Sequence, residues 1–280
     1  MNDDKIKSNA AVAELISTVA AIQRPLIAFA KQYDAHWKAV TESVAKFAEP
    51  FFHAAQSAAK HLEANLGPVL RQHAKLKRLE EAGWLPHYTS PLSLIPDIGD
   101  VDISSLMERH YTDNWFDIKA KLLDGVKSYD IDEEAKETFS EAVCAHEQGL
   151  FRATCRTLFP EIERVVRVEL LEGSLHGIAS MKELQNVAGQ LGLSEMRPTG
   201  LSGMALYSRL VDHIYVPAHT AEDVIKLAED DVPNRHAAMH GLVSYKTFKN
   251  SINMLTMADF MFHVVSATKI NRRARDEASG

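Results

Sequence analysis

Apolar residues recur at steps of three and four along almost the whole chain, and the alternation expected of half-buried strands is nearly absent. The sequence therefore predicts an all-α fold. From 9 to 82, alanine-rich periodic stretches are interrupted only at Pro25, Pro50 and Gly67-Pro68, positions that suit kinks or fresh helix starts. Val12, Leu15, Ile16, Val19 and Ile22 continue as Ile27, Phe29, Val40, Val44 and Phe47, with polar residues between them. Such a stripe predicts an N-terminal helical bundle or arm of three or four helices over 1–85.

The pattern stops between Gly83 and Asp102, where Pro86, Pro91, Pro96 and Gly99 accumulate, and a linker is expected over 86–102. Helices resume from about Ile103 to Val126. Asp132 then reads as the N-cap of a helix reaching about His146, with Glu133 and Glu134 complementing its dipole. Gly149 ends that helix. The next is expected from Leu150 to Leu171, kinked or broken at Pro160, with Leu158, Ile162, Val165 and Val166 on one face. Shorter helices are expected at 180–190, 203–215 and 220–229. In the last one Phe248, Ile252, Leu255, Ala258, Phe262 and Val265 form an amphipathic face, followed by a basic, flexible tail over 271–280.

With 46% apolar and 25% charged residues, the 280-residue chain has ordinary globular composition, and its net charge of −7 argues against a nucleic-acid coat along its whole length. Cys144 and Cys155 sit inside amphipathic patterns without zinc or redox spacing, which predicts reduced core thiols and a cytoplasmic protein. The most apolar long window, 10–30, carries Glu14, Gln23, Arg24 and Pro25, so no membrane span is expected. No export signal is evident at the first nine residues. The histidines lack the His-Glu-x-x-His pattern and a neighbouring acidic cluster, no Gly-rich phosphate loop is present, and no cofactor or metal is expected.

One short segment carries the candidate chemistry: Arg235-His236-Ala237-Ala238-Met239-His240, preceded by Pro233-Asn234 and followed by Gly241. Asn234 suits an N-cap and Gly241 a C-terminal stop, so the segment reads as a short helical turn. A guanidinium that keeps its proton beside an imidazole that titrates near neutrality suits metal-free phosphodiester chemistry. Positions five apart on a straight helix point about 140° away from each other, so Arg235 and His240 converge only where the helix ends or bends. From Arg235 to Arg275 seven basic residues (Arg235, Lys246, Lys249, Lys269, Arg272, Arg273, Arg275) stand against one acid, Asp259. Tyr245 lies among them as a candidate stacking platform for an unpaired base.

The string Val-Pro-Asn-Arg-His-Ala-Ala-Met-His-Gly at 232–241, with Tyr245 and a terminal helix carrying Asn250, resembles the HEPN superfamily. The stretch Ala145-His146-Glu147-Gln148-Gly149-Leu150-Phe151-Arg152-Ala153, leading to Leu158-Phe159-Pro160-Glu161-Ile162-Glu163, is similar to the helix pair of such domains. The resemblance spans 103–270. It implies a dimerising all-α domain that acts as a metal-independent endoribonuclease through Arg-x4-6-His, as in toxins, phage defence and RNA processing. Carried over, the catalytic residues are Arg235 and His240, with His236 in the polar position after the arginine; Asn234, Tyr245, Lys246 and Lys249 are expected to bind substrate. His236 departs from the Asn or Asp found there in active members. The implied partners are an RNA substrate, a second copy of the chain, and an antitoxin or regulatory protein engaging 1–85. The alternative is a HEPN-like module that dimerises or binds RNA without cutting it.

Overall fold

A computed structural model of the chain describes residues 68, 70–97, 99–171, 206, 209 and 213–279. The chain divides into two compact units, Met1–Ala74 and Lys75–Gly280, and the described fold belongs almost wholly to the second. The expected N-terminal bundle and the helices expected at 180–190 and through most of 203–215 lie outside the described residues. Among the described residues eight α-helices follow in chain order: α1 (70–81), α2 (Ile103–Asp113), α3 (Trp115–Ser128), α4 (Glu133–Glu147), α5 (Phe151–Leu170), α6 (Ala221–Glu229), α7 (Arg235–Met239) and α8 (Phe248–Ser279). No strand occurs among the described residues, and the fold is all-α.

Local sequence explains most boundaries. Asp102 caps α2 by accepting from Ser105 N (3.0 Å), and Ile103, Met107 and Tyr111 bury one face at four-residue steps. The stretch expected to be helical from Ile103 to Val126 breaks once, at Asn114. Its side-chain amide donates back to the carbonyl of His110 (2.9 Å), which satisfies the end of α2 and lets the chain restart as α3. Asp132 caps α4 through Ala135 N (2.9 Å), as its position predicts. Gly149, at φ 74, turns the chain into α5. No interruption accompanies Pro160, because α5 is continuous. Pro160 lies on the exposed face of α5, and lacking an N–H it gives the carbonyl of Arg156 no i+4 donor.

The described residues of 86–102 belong to the second unit, with His87 and Ile95 buried. Trp84 and Leu85 are buried, Leu85 N donates to Asn253 Oδ1 (2.9 Å), and Asn253 Nδ2 donates to the carbonyl of Gly83 (2.9 Å). The prolines and glycines shape a folded loop, pinned further where Arg78 donates to the carbonyls of Pro96 (2.6 Å) and Gly99 (2.9 Å). Of the expected C-terminal tail, the described residues 271–279 are helical. α8 continues to Ser279, with Arg272 donating to the carbonyl of Leu170 (3.1 Å) and Arg273 pairing with Asp130 (2.7 Å).

α8 is the axis of the unit and packs against α3, α4 and α5. Rather than one apolar face, every residue from Asn250 to Phe262 is buried. Several of its buried polar residues meet specific partners. Asn250 Nδ2 donates to the carbonyl of Asp231 (2.8 Å), and Ser251 Oγ meets His146 Nδ1 (2.7 Å). Asp259 accepts from Tyr129 OH (3.2 Å) and meets His87 Nε2 (2.9 Å), while Ser266 Oγ accepts from Asp130 N (2.8 Å). A polar face that reads as solvated is in fact the face that docks loops.

Candidate active site

The segment 230–241 is built by its neighbours. Thr220 and Asp223 form a capping box at the start of α6, and Asp230 and Asp231 after its end are tied by Arg209 (2.6 Å) and Lys249 (2.6 Å). Asn234 then caps α7, its Oδ1 accepting from Ala237 N (2.9 Å). Its Nδ2 donates to the carbonyls of His213 (2.7 Å) and Val216 (2.8 Å). One fully buried side chain thus starts α7 and staples the 213–216 turn against it. Gly241, at φ 71, ends the turn, with His240 as C-cap.

That staple brings Arg235, His236 and His240 into one neighbourhood with Glu163 and Tyr215. Arg235 packs onto α5 and grips Glu163 with two donors, Nε to Oε1 (2.7 Å) and Nη2 to Oε2 (3.2 Å). The rings of His236 and His240 lie 4.5 Å apart, tilted by 51°. Partial burial, followed by the charges of His240, Arg235 and His219, holds His236 below the usual imidazole range. Its Nδ1 accepts from Ala218 N (3.3 Å), so the neutral ring carries its proton on Nε2. His240 is exposed, and no side-chain hydrogen bond holds its imidazole among the described residues. Tyr215 reaches the same neighbourhood. Its hydroxyl is buried without a hydrogen-bond partner among the described residues, and burial first, then Glu163, pushes it well above the usual phenol range against the pull of Arg235.

The remaining sequence-predicted residues divide sharply. Asn234 uses its side chain inside the fold and is 0% exposed. Tyr245 is 3% exposed, its hydroxyl donating to the carbonyl of Leu227 (3.2 Å), with burial pushing it up to about 12. A ring so enclosed offers no face to a base. Lys249 is held by Asp231 and the carbonyl of Ala82 (2.5 Å), with its ammonium 5.3 Å from the centre of the Trp84 ring. These three are structural pins. Lys246 alone of the expected binding residues is exposed and without a hydrogen bond or ion pair among the described residues.

The basic run of the sequence is largely cancelled in space. Lys269 meets Asp130 (3.1 Å) and Glu169 (2.5 Å), and Arg273, Arg235 and Lys249 each have an acidic partner. Sequence reasoning did not find Glu163, Tyr215 or His219 as members of this cluster. Glu163 stands 72 residues before Arg235, and nothing local to either signals the pairing. Among the described residues no group of three or more His, Cys, Asp or Glu is placed to hold a metal ion, and no helix is long and apolar enough to cross a membrane. No family model, curated protein or solved structure matches this chain.

Proposed function

We propose that the second unit is a metal-independent endoribonuclease of HEPN type, acting in the cytoplasm as a toxin or phage-defence effector and working as a symmetric dimer. The observation that carries this reading is the pairing of the exposed His240 ring with the half-buried His236 ring beside an anchored guanidinium. His240 takes the proton of a ribose 2′-OH, and the 2′ oxygen attacks phosphorus. The 5′ oxygen leaves with a proton, giving a 2′,3′-cyclic phosphate and a 5′-hydroxyl. Because Ala218 N–H occupies Nδ1 of His236, that ring serves as an Nε2–H donor to a phosphate oxygen, not as the acid. The leaving-group proton then comes from the imidazolium of His240 in a second copy, across a composite cleft. Arg235 has five N–H donors; Glu163 takes two and leaves three to meet charge growing on the phosphate.

Incubation of labelled RNA in EDTA tests this. Wild type should cut RNA and spare DNA of the same sequence, and His240→Ala should cut about 10²–10⁴-fold more slowly. Intact RNA with wild type would sink the nuclease. One observation favours a second reading, a HEPN-like module that binds RNA or dimerises without chemistry: Glu163 neutralises the guanidinium that would hold the phosphate. Binding retained by an inert wild type would support that module. A regulatory or antitoxin partner engaging 1–85 belongs to either reading.

A further inference from the structure

An open groove of about 760 Å³ lies where α4 turns into α5, lined by Gly149, Leu150, Phe151, Arg152, Arg156 and Lys246. Arg152, Arg156 and Lys246 are all exposed, and none has a hydrogen bond or ion pair among the described residues. Arg164, Arg235, Arg273, Lys249 and Lys269, by contrast, are each committed to a carboxylate. Three uncompensated cations around one concavity repel each other, and an anion in their midst relieves that repulsion. The first turn of α5 adds to the field. Leu150 provides no side-chain cap, so the N–H groups of Phe151 and Arg152, both lining residues of the groove, have no capping side chain at the positive end of the helix dipole.

How Lys246 reaches the groove is also visible. Tyr245, the one non-glycine residue with positive φ among those described, adopts φ 41. Its ring is locked inward through Leu227, and its carbonyl lies 3.9 Å from Cys155 Sγ on α5. Holding a bulky residue in that conformation costs energy, and the reversal of the chain leaves the next side chain, Lys246, over the start of α5.

The groove is in register with the candidate active site. Successive helix positions turn by about 100° and rise by about 1.5 Å, so Arg152, Arg156 and Glu163 fall within an arc of roughly 40° on α5, and Glu163 stands about 10 Å beyond Arg156. Glu163 is the residue that anchors Arg235. From this we infer that Arg152, Arg156 and Lys246 form a phosphate-gripping subsite for a single RNA strand, holding the backbone one or two nucleotides from the bond presented to His240. The inference rests on the ribonuclease reading for its substrate, but it makes a separate claim about binding. The grip addresses phosphate and not the 2′-hydroxyl, so a DNA strand binds it too, without being cut.

Fluorescence anisotropy with a labelled 12-nucleotide RNA carrying 2′-O-methyl groups, which block cleavage, isolates this step. Wild type should bind with affinity that falls as salt rises. Arg152→Gln with Arg156→Gln should weaken binding about tenfold or more and flatten the log-affinity against log-salt slope by about 1.4, and Lys246→Gln should flatten it by about 0.7. Thermal melting of each variant within a degree or two of wild type confirms that folding is intact, as expected for exposed side chains without partners. Absence of salt-dependent binding by wild type, or an unchanged slope in the folded double variant, overturns the subsite. A wild type that binds through these residues yet never cuts unmodified RNA sinks the nuclease and leaves the subsite standing.

Discussion

Two sets of histidines in the same unit have opposite surroundings. His87 is 2% exposed, held by Asp259 at Nε2 (2.9 Å) and by Thr89 Oγ1 at Nδ1 (2.8 Å). Thr89 passes on to the hydroxyl of Tyr111 (3.1 Å). His146, 3% exposed, meets Ser251 and is ringed by Trp115, Phe151 and Phe248. His236 and His240 face one another with a single backbone donor between them and solvent beyond. An Asp-His-Thr arrangement like that at His87 looks like catalytic machinery, but satisfied and sealed polar groups rigidify a fold, whereas spare valences at a surface can meet a substrate. Burial, not residue type, separates the two regions.

The largest way to break that contrast is to open the sealed side. Asp259→Ala leaves His87 and the Tyr129 hydroxyl buried without their acceptor, and should cost about 3–5 kcal/mol of stability in urea denaturation. His240→Ala should shift the same midpoint by less than about 0.5 kcal/mol, because its ring lies at the surface. Equal costs for the two substitutions would erase the distinction.

Acid probes the sealed side next. Burial depresses His146 from the ordinary 6.5 to about 4 in the folded protein. Above pH 6.5 the ring is neutral folded or unfolded, and its contribution is fully present. As pH falls from 6.5 towards 4 the unfolded chain takes up a proton that the folded one refuses, and up to about 3 kcal/mol is lost. Denaturation at several pH values should show this slope, and His146→Leu should flatten it. A slope unaffected by the substitution would mean that other groups carry the acid sensitivity.

The same contrast explains what was legible in the sequence. Helix limits set by neighbours a few residues apart were readable: Asp132 before α4, the stretch 220–229, and Asn234 and Gly241 around α7. Pairings across the chain were not. Asn253 reads as the solvated side of a helix until Leu85, 168 residues earlier, is found on it, and the loop it holds reads as a linker for the same reason. At the site, sequence placed Arg235, His236 and His240 in one turn but could not show that Glu163 holds the first. Nor could it show that Ala218 fixes the tautomer of the second, or that Asn234, Tyr245 and Lys249 are consumed by the fold. Local caps are written in local residues, whereas the availability of a side chain depends on who else is close.

The smallest test sharpens the open side. Glu163 can do two things to Arg235: cancel its charge, or aim it. Glu163→Gln separates them, because an amide removes the negative charge and keeps only one acceptor oxygen for the guanidinium. The pair is partly exposed, 35% for Arg235 and 21% for Glu163, so the stability cost should stay below about 1 kcal/mol. With the charge released, affinity for the uncleavable RNA should rise about threefold. With the aim lost, cleavage at saturating RNA should fall about tenfold, since a guanidinium displaced by a fraction of an ångström serves the transition state less well than the ground state. Tighter binding with slower cutting is the signature of an anchor that positions the cation. Tighter binding with unchanged cutting would reduce Glu163 to a counter-charge, and no change in either would remove Arg235 from the site altogether.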